Sequence, residues 1–397
     1  MATTDFAVVG GGIIGLALAD AVLSRFPDAS VSVFEKETAL AVHASGRNSG
    51  VLHAGFYYAP DSLKARLTRQ GNVMLRAFCA EANVPVRDTG KVVVATGPED
   101  LVALDALLER GRANGVPVES ISAGQLADIE PLAQTHERAL WSPSTGVASP
   151  SEVVQALGRR VQARGGIVHL GTHVASASPG ALVLGDGRQV SVGHIINAAG
   201  LYAAQVARAF GVGEEFVMLP FKGLYWYGNW APGRLQRHVY PVPDPRNPFL
   251  GVHLTVTVDG RVKIGPTAIP VLSFENYRGL SGLSPAELAS IARTFPAFLA
   301  SPHHRAWDLI RTELPKLHRT TLIKGAQALV PSVDPRDFTE RGRPGIRAQL
   351  FDRTAQRLEM DFVVRPGERS THVLNAVSPA WTTALAVADH VVADMVL

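Results

Sequence analysis

Apolar residues recur along this chain with two periods, and short glycine-rich stretches separate one period from the other. Phe6-Ala7-Val8-Val9 is an apolar run of strand length, and Ile13-Ile14 followed by Leu16-Ala17-Leu18-Ala19 predicts a buried helix running to about Arg25. Val31-Ser32-Val33-Phe34 predicts the next strand. Helical spacing returns over residues 61–82 and again over 151–164, where Gly165-Gly166 ends it. Ser122-Ala123-Gly124-Gln125 has the form of a capping box opening a short helix. Short β-type segments follow at Ile167–Leu170, Val174, Ala181–Leu184 and His194–Asn197, the last running into Ala198-Ala199-Gly200. From Val217 to Ile264 the pattern is β-rich and aromatic (Tyr225, Trp226, Tyr227, Trp230, Tyr240), punctuated by Pro241, Pro243, Pro245 and Pro248. A helical block covers Ser284 to about Lys316, and strands return near Ile346–Leu350 and Val373–Leu374. The closing helix is expected from Pro379 to about Val396, with Ser378 at the N-cap and Pro379 at the first helical position.

The first two strands and the helix between them carry the most specific signal. The turn Gly10-Gly11-Gly12-Ile13-Ile14-Gly15 stands between strand and helix, and the second strand ends on Glu35, twenty residues beyond Gly15. Gly10 permits the tight turn, Gly12 lets a pyrophosphate approach the backbone, and Gly15 lets the helix lie close on the sheet. The helix start offers unpaired N–H groups to an anion, and Glu35 is placed to accept hydrogen bonds from a ribose. An adenine dinucleotide is the expected ligand. Signatures of its domain stand at the start, middle and end of the chain, which implies a discontinuous domain over residues 1–85, 150–216 and 321–397, with 86–149 and 217–320 forming a covering domain. The fold class is α/β, a Rossmann-like domain joined to a β-rich α+β substrate domain. That interruption favours FAD over a nicotinamide cofactor.

Bulk composition narrows the classes. With 397 residues, 46% hydrophobic and 18% charged, the chain is globular and long enough for two domains. A formal net charge of +3, without a run of Lys/Arg, gives no support to a nucleic-acid partner. The single cysteine, Cys79, excludes an intrachain disulfide and suits a reducing, cytoplasmic compartment. The first strand starts almost at residue 1, so no leader peptide is expected. The apolar stretch Ile13–Leu23 is interrupted by Asp20 and too short to span a bilayer, leaving peripheral contact with the inner face of a membrane open. His303, His304 and His318 lack acidic partners at ligand spacing, and no metal site is expected.

The segment His43-Ala44-Ser45-Gly46-Arg47-Asn48-Ser49-Gly50-Val51-Leu52-His53-Ala54-Gly55-Phe56-Tyr57-Tyr58 combines small residues and amide donors that suit a backbone laid against a cofactor, with Arg47 and Ser49 able to reach its oxygens. Together with VGGGIIGLALA, SPSTGVASP, NAAGL, PFKGLYW, YPVPDPRNPFLGVHLT, GIRAQL and HVLNAVSPAWTTALA, this segment resembles the D-amino-acid-oxidase-like flavoproteins, and within them the L-2-hydroxyglutarate dehydrogenases/oxidases. The resemblance runs from residue 8 to about 390. It implies FAD, held by Gly10, Gly12, Ile13, Ile14, Gly15, Glu35, Lys36, Ser45, Arg47, Asn48, Ser49, Val51, Val174, Ala199, Gly200, Ser378, Pro379 and Ala380. It also implies oxidation of L-2-hydroxyglutarate to 2-oxoglutarate by hydride transfer from Cα to flavin N5, with a quinone, another acceptor or dioxygen taking the electrons. Other 2-hydroxy acids or amino acids fit the same geometry. Lys222 stands where many relatives are expected to have Arg, and Trp381 interrupts a stretch of small residues.

Oxidising a 2-hydroxy acid needs a cation for the carboxylate, a base for the hydroxyl proton and a fixed Cα–H direction. His53 and His253 are the candidate bases, since an imidazole accepts a proton near neutral pH. Arg347, within Gly345-Ile346-Arg347-Ala348-Gln349, lies near where the resemblance implies that the substrate carboxylate is held, and is the candidate anchor. Lys222, Tyr57, Tyr58 and Tyr240 are candidates for the distal carboxylate of a five-carbon diacid.

Overall fold

The computed structural model describes residues 2–244, 249–303 and 305–395. Pro245, Pro248, His304 and the expected helix end at Val396 lie outside the described residues. The glycine turn belongs to a sheet ordered Val174–Ser178, Ala181–Leu184, Gln189–Asn197, Ala2–Val9, Val31–Phe34, Ile167–His169, with Ser370–Asn375 and then Val363–Gly367 branching from Gln189–Asn197. Ala2–Val9 pairs parallel with both of its neighbours. Parallel strands cannot be joined by a tight hairpin, and the helix Ile13–Arg25 supplies the crossover. Parallel strands covered on both faces read as continuous apolar runs, as Ala7, Val8 and Val9 do.

One core unites the helices Ile13–Arg25, Leu63–Glu81, Pro150–Ala163 and Ala380–Ala393 through residues such as Leu18, Leu75, Leu157 and Val387. Cys79 is buried in it as a small apolar residue, its thiol pushed up to about 11 by burial. Asp20, the one acid within the apolar helix, is matched by Arg160, whose Nε lies 3.1 Å from Oδ1, and by Arg164 at 3.0 Å. The charge that breaks the hydrophobic pattern therefore ties two helices together.

The second large sheet is ordered Glu340–Arg341, Trp226–Tyr227, Val262–Gly265, His253–Val256, His238–Pro241, Lys91–Val94, Arg138–Ser142, Glu119–Ser122. Side chains alternate across a strand, and this alternation sorts the sheet into two chemically different faces. Val92, Val94, Val239, Leu254, Val256, Val262 and Ile264 share one core with Leu322, Ile323 and Ala326 of the helix Arg319–Gln327. The intervening residues Lys91, His238, Tyr240, His253, Thr255 and Lys263 face the other way, and all are buried. A third sheet, ordered Ile269–Pro270, Phe216–Gly223, Gly345–Asp352, Arg357–Leu358, pairs Arg347 with Phe221. Val51–Leu52, Gly146–Ala148 and Val86–Arg87 form a small fourth sheet.

Two expectations shift. The helix Arg319–Gln327 and the strands Glu340–Arg341 and Gly345–Asp352 join the second and third sheets, and the chain re-enters the first sheet only at Val363. The apolar face of that helix covers the second sheet, which draws this segment away from the dinucleotide sheet. The last helix begins at Ala380 with Pro379 at its N-cap, and no side chain caps it, so Ser378 does not take the capping role.

A Cβ on Gly15 would lie 1.9 Å from the Gly10 carbonyl oxygen. Gly15→Val is therefore expected to push the first helix off its strand and destabilise the fold by about 1–3 kcal/mol, the usual cost of overpacking, readable as a lower melting temperature. An unchanged melting curve would show that the helix tolerates a wider separation.

Candidate active site

A cavity of 650 Å³ opens where the glycine turn, the loop 43–53 and the start of the last helix meet. The first glycine of the turn has a steric reason. Gly10 has φ +107°, and a Cβ there would lie 2.6 Å from the Ala198 carbonyl oxygen. Gly12, the N-cap of the first helix, has no side chain to cap that helix, so its leading N–H groups face the cavity. Ser45 Oγ accepts from the Ile13 N–H at 2.9 Å, placing a hydroxyl where an anion's oxygen would bind. Gly15 does not reach the cavity wall; its part is the close helix–strand approach. Glu35 accepts from the backbone N–H of Gly11 at 2.8 Å and of Glu37 at 2.9 Å, which fixes its carboxylate at the wall.

The wall also includes Ile13, Ile14, Lys36, Arg47, Asn48, Ser49, Val51, Val174, Ala199 and Gly200, and it continues through Ser378, Pro379 and Ala380. Two helix starts whose N-cap residues offer no side-chain cap thus meet one groove, at Gly12 and at Pro379. A helix start favours negative charge, so the two suit a diphosphate and a ring that becomes anionic on reduction. Pockets for cofactors span roughly 300–1,000 Å³, and this groove falls in that range. These residues fit a flavin dinucleotide. Trp381 also lines the groove, and its indole N–H is buried without a partner.

Lys36 lies among Glu37, His43 and Glu275, whose ligand atoms are within 4.8 Å of one another. Its ammonium is 2.6 Å from Glu275 Oε1 and 3.0 Å from His43 Nε2 and also pairs with Glu37, so a side-chain cation already fills the centre of that group.

The other part of the cavity wall comes from the loop after Val51–Leu52, the residue before Trp226–Tyr227 and the strand Gly345–Asp352, and the polar face of the second sheet lies behind it. His53, Tyr225 and Arg347 line the cavity there. The backbone of His53 is held by Thr382 Oγ1, which accepts from its N–H at 3.2 Å, and by Asn72 Nδ2, which donates to its carbonyl at 3.0 Å. Its Nδ1 is buried without a partner. Burial, and then the charges of Lys91 and two further imidazoles, hold His53 well below the usual histidine range, so it is neutral near pH 7. Arg347 donates to the Thr267 carbonyl at 3.4 Å and stacks over Phe249 at 5.4 Å.

His253 stands a layer behind the cavity wall, stacked on Tyr240 with ring centres 3.8 Å apart. Its Nδ1 lies 2.8 Å from the Gly251 carbonyl, which can only accept, so Nδ1 carries the proton and Nε2 is bare. Burial depresses it to about 3. Tyr57, Tyr58 and Tyr240 surround this region, each raised by burial. Lys222 is not among the cavity-lining residues; Asn276 Oδ1 accepts from its ammonium at 3.4 Å. Lys222 pairs with Ile346, one position off the Phe221–Arg347 pair, and so points to the face of its sheet opposite Arg347.

Sequence reasoning missed Lys91, Lys263, His238 and Tyr225. The legible signal was the alternation in Lys91-Val92-Val93-Val94, His253-Leu254-Thr255-Val256 and Val262-Lys263-Ile264, which sets the polar positions on one face. Lys263 donates to the Ser49 carbonyl at 3.3 Å and is depressed to about 8 by burial. His238 accepts from the Val256 N–H at 3.1 Å and meets Thr89 Oγ1 at 2.9 Å, which leaves it structural.

The family model described as FAD dependent oxidoreductase matches residues 5–394. The chain is 35% identical to the L-2-hydroxyglutarate dehydrogenase of Salmonella houtenae over 98% of its own length and 93% of that protein's. It is 34% identical to the mitochondrial L-2-hydroxyglutarate dehydrogenase of Homo sapiens, over 99% and 88%. In fold it is similar to dithionite-reduced L-alpha-glycerophosphate oxidase from Mycoplasma pneumoniae with FAD bound, with a TM-score of 0.78, 23% identity and coverage of 99% and 94%.

Glu35→Ala removes an acceptor that the backbone holds in place at the groove. FAD affinity is expected to fall about 10- to 100-fold, the size of a lost hydrogen bond to a charged group, as measured by flavin released on dilution. Undiminished retention would take Glu35 out of cofactor binding.

Proposed function

This chain belongs to the FAD-dependent oxidoreductase family, and within it to the L-2-hydroxyglutarate dehydrogenases, and from that premise we propose that it oxidises L-2-hydroxyglutarate to 2-oxoglutarate. The observation that carries the proposal is that Arg347 and the neutral imidazole of His53 share one cavity with the glycine turn and two helix starts whose N-cap residues offer no side-chain cap. FAD, when bound, supplies a two-electron acceptor for the hydrogen on the substrate's Cα.

The protein's own groups supply the rest. Arg347 pairs with the carboxylate next to the reacting carbon through its planar guanidinium, which fixes that carbon's orientation. His53 takes the hydroxyl proton as the C–H bond breaks. It is assigned this part over His253 because a base must reach the proton it removes, and His53 is on the wall whereas His253 is a layer behind. His253, stacked on Tyr240 and held by Gly251, packs the polar face and keeps it rigid. The aromatic ring of Tyr225, on the cavity wall, excludes water around the reacting carbon. The electrons then leave to a separate acceptor.

His53→Ala is expected to lower kcat by about 10²-fold or more with flavin retained, the typical contribution of acid–base catalysis. Near-normal turnover would remove His53 from the mechanism. Arg347→Ala is expected to raise KM for the acid strongly; unchanged saturation would point to another anchor. Since burial and nearby cations disfavour imidazolium at His53, the base is lost to protonation only well below pH 6.5. The kcat/KM profile should therefore show no fall as pH drops through 6.5, and an acid limb centred there would contradict the assignment.

A further inference from the structure

Lys91 is fully buried, and its ammonium has no hydrogen-bond partner. It sits in a box of aromatic rings, 4.4 Å from the centre of Tyr240, 4.9 Å from Tyr57 and 5.5 Å from Phe56. The hydroxyl of Tyr57 is likewise buried and unpartnered. Two orphaned donors in one apolar enclosure are rare in folded proteins and call for an explanation. The surroundings supply no anion: among the described residues no carboxylate pairs with Lys91, and burial alone depresses it to about 7. An uncompensated buried ammonium costs far more than an apolar side chain of the same shape, so packing alone gives Lys91 no reason to be there.

Its neighbours indicate what is missing. Lys91 is the cation whose charge reaches His53 on the cavity wall. Three cations reach His253, namely Lys91, Arg347 and Lys263. Of these, Arg347 lines the cavity and serves the carboxylate at the reacting carbon, and Lys263 is bonded to the Ser49 carbonyl. Lys222 is turned toward Asn276. A dicarboxylate carries a second charge that none of those groups meets.

We propose that Lys91 and Tyr57, which stand behind the cavity wall rather than on it, form a subsite that opens to the distal carboxylate of a dicarboxylic 2-hydroxy acid as it binds, and that Lys91 sets the preference for diacids over monoacids. This rests on the reading of the site as one for L-2-hydroxyglutarate. The rings of Tyr57, Tyr240 and Phe56 hold the ammonium in place by cation–π attraction, and the anion completes its coordination once bound. The charge-assisted pair then forms in a water-poor enclosure, where it discriminates strongly against a neutral chain end.

The test is calorimetric binding of glutarate and of pentanoate to the FAD-loaded protein, for wild type, Lys91→Met and Tyr57→Phe. Lys91→Met removes a buried charge and keeps the stem, so a melting temperature at or above that of wild type is expected. Glutarate affinity should fall about 100-fold in Lys91→Met and about 10-fold in Tyr57→Phe, with pentanoate affinity within threefold of wild type in both. Glutarate binding unchanged in Lys91→Met, or absent in wild type, overturns the proposal. Flavin reduction by L-2-hydroxyglutarate in the wild type is read alongside. If glutarate binds through Lys91 but this hydroxy acid does not reduce the flavin, the subsite stands and the substrate reading falls.

Discussion

The contact on which the rest depends is the approach of the first helix to the strand before it, where Gly15 lies against the Gly10 carbonyl with no room for a methyl group. That approach aims the helix start at the groove, and it sets the distance from the turn to Glu35 at the end of the neighbouring strand. The last helix arrives at the same groove from the far end of the sequence, uncapped, and packs in the same core. Distant segments are therefore bound into one cofactor site by a backbone contact, with side chains added around it.

The second sheet contributes through alternation. Its apolar positions are consumed by the helix Arg319–Gln327, and its polar positions are forced onto the opposite, buried face, behind the groove wall. Lysine, histidine and tyrosine are gathered there, without a carboxylate among the described residues of that face, so the face is electropositive in a medium of low dielectric. Such a face is costly by itself, and it favours an anionic ligand over water. Burial first, and then that field, keeps the imidazoles neutral, which is the state a base requires. Binding and proton acceptance thus have a common electrostatic origin.

Much of the dinucleotide half was legible in the sequence because its signals are local. The turn from Gly10 to Gly15, the acid at Glu35 and the small residues of 43–53 each act within a few positions of one another. The substrate half was less legible. Arg347 and His53 were named through motif resemblance and both line the cavity, whereas Lys222 was named without knowing which face of its strand it occupied, and one step of register turns a side chain away. Lys91 was overlooked because a single lysine before three valines reads as an ordinary strand edge. Only pairing with His238 on the neighbouring strand reveals that it is central and enclosed. The segment 321–358 was misassigned for a related reason: the sheet that a helix covers depends on partners remote in sequence.

The most direct test of the central claim is to mix the FAD-loaded protein with L-2-hydroxyglutarate in the absence of oxygen and follow the flavin band at about 450 nm, with the D enantiomer and a set of amino acids as comparisons. The account predicts rapid bleaching by the L-hydroxy diacid and little by the others. A flavin that stays oxidised with L-2-hydroxyglutarate, or that an amino acid reduces faster, would contradict it.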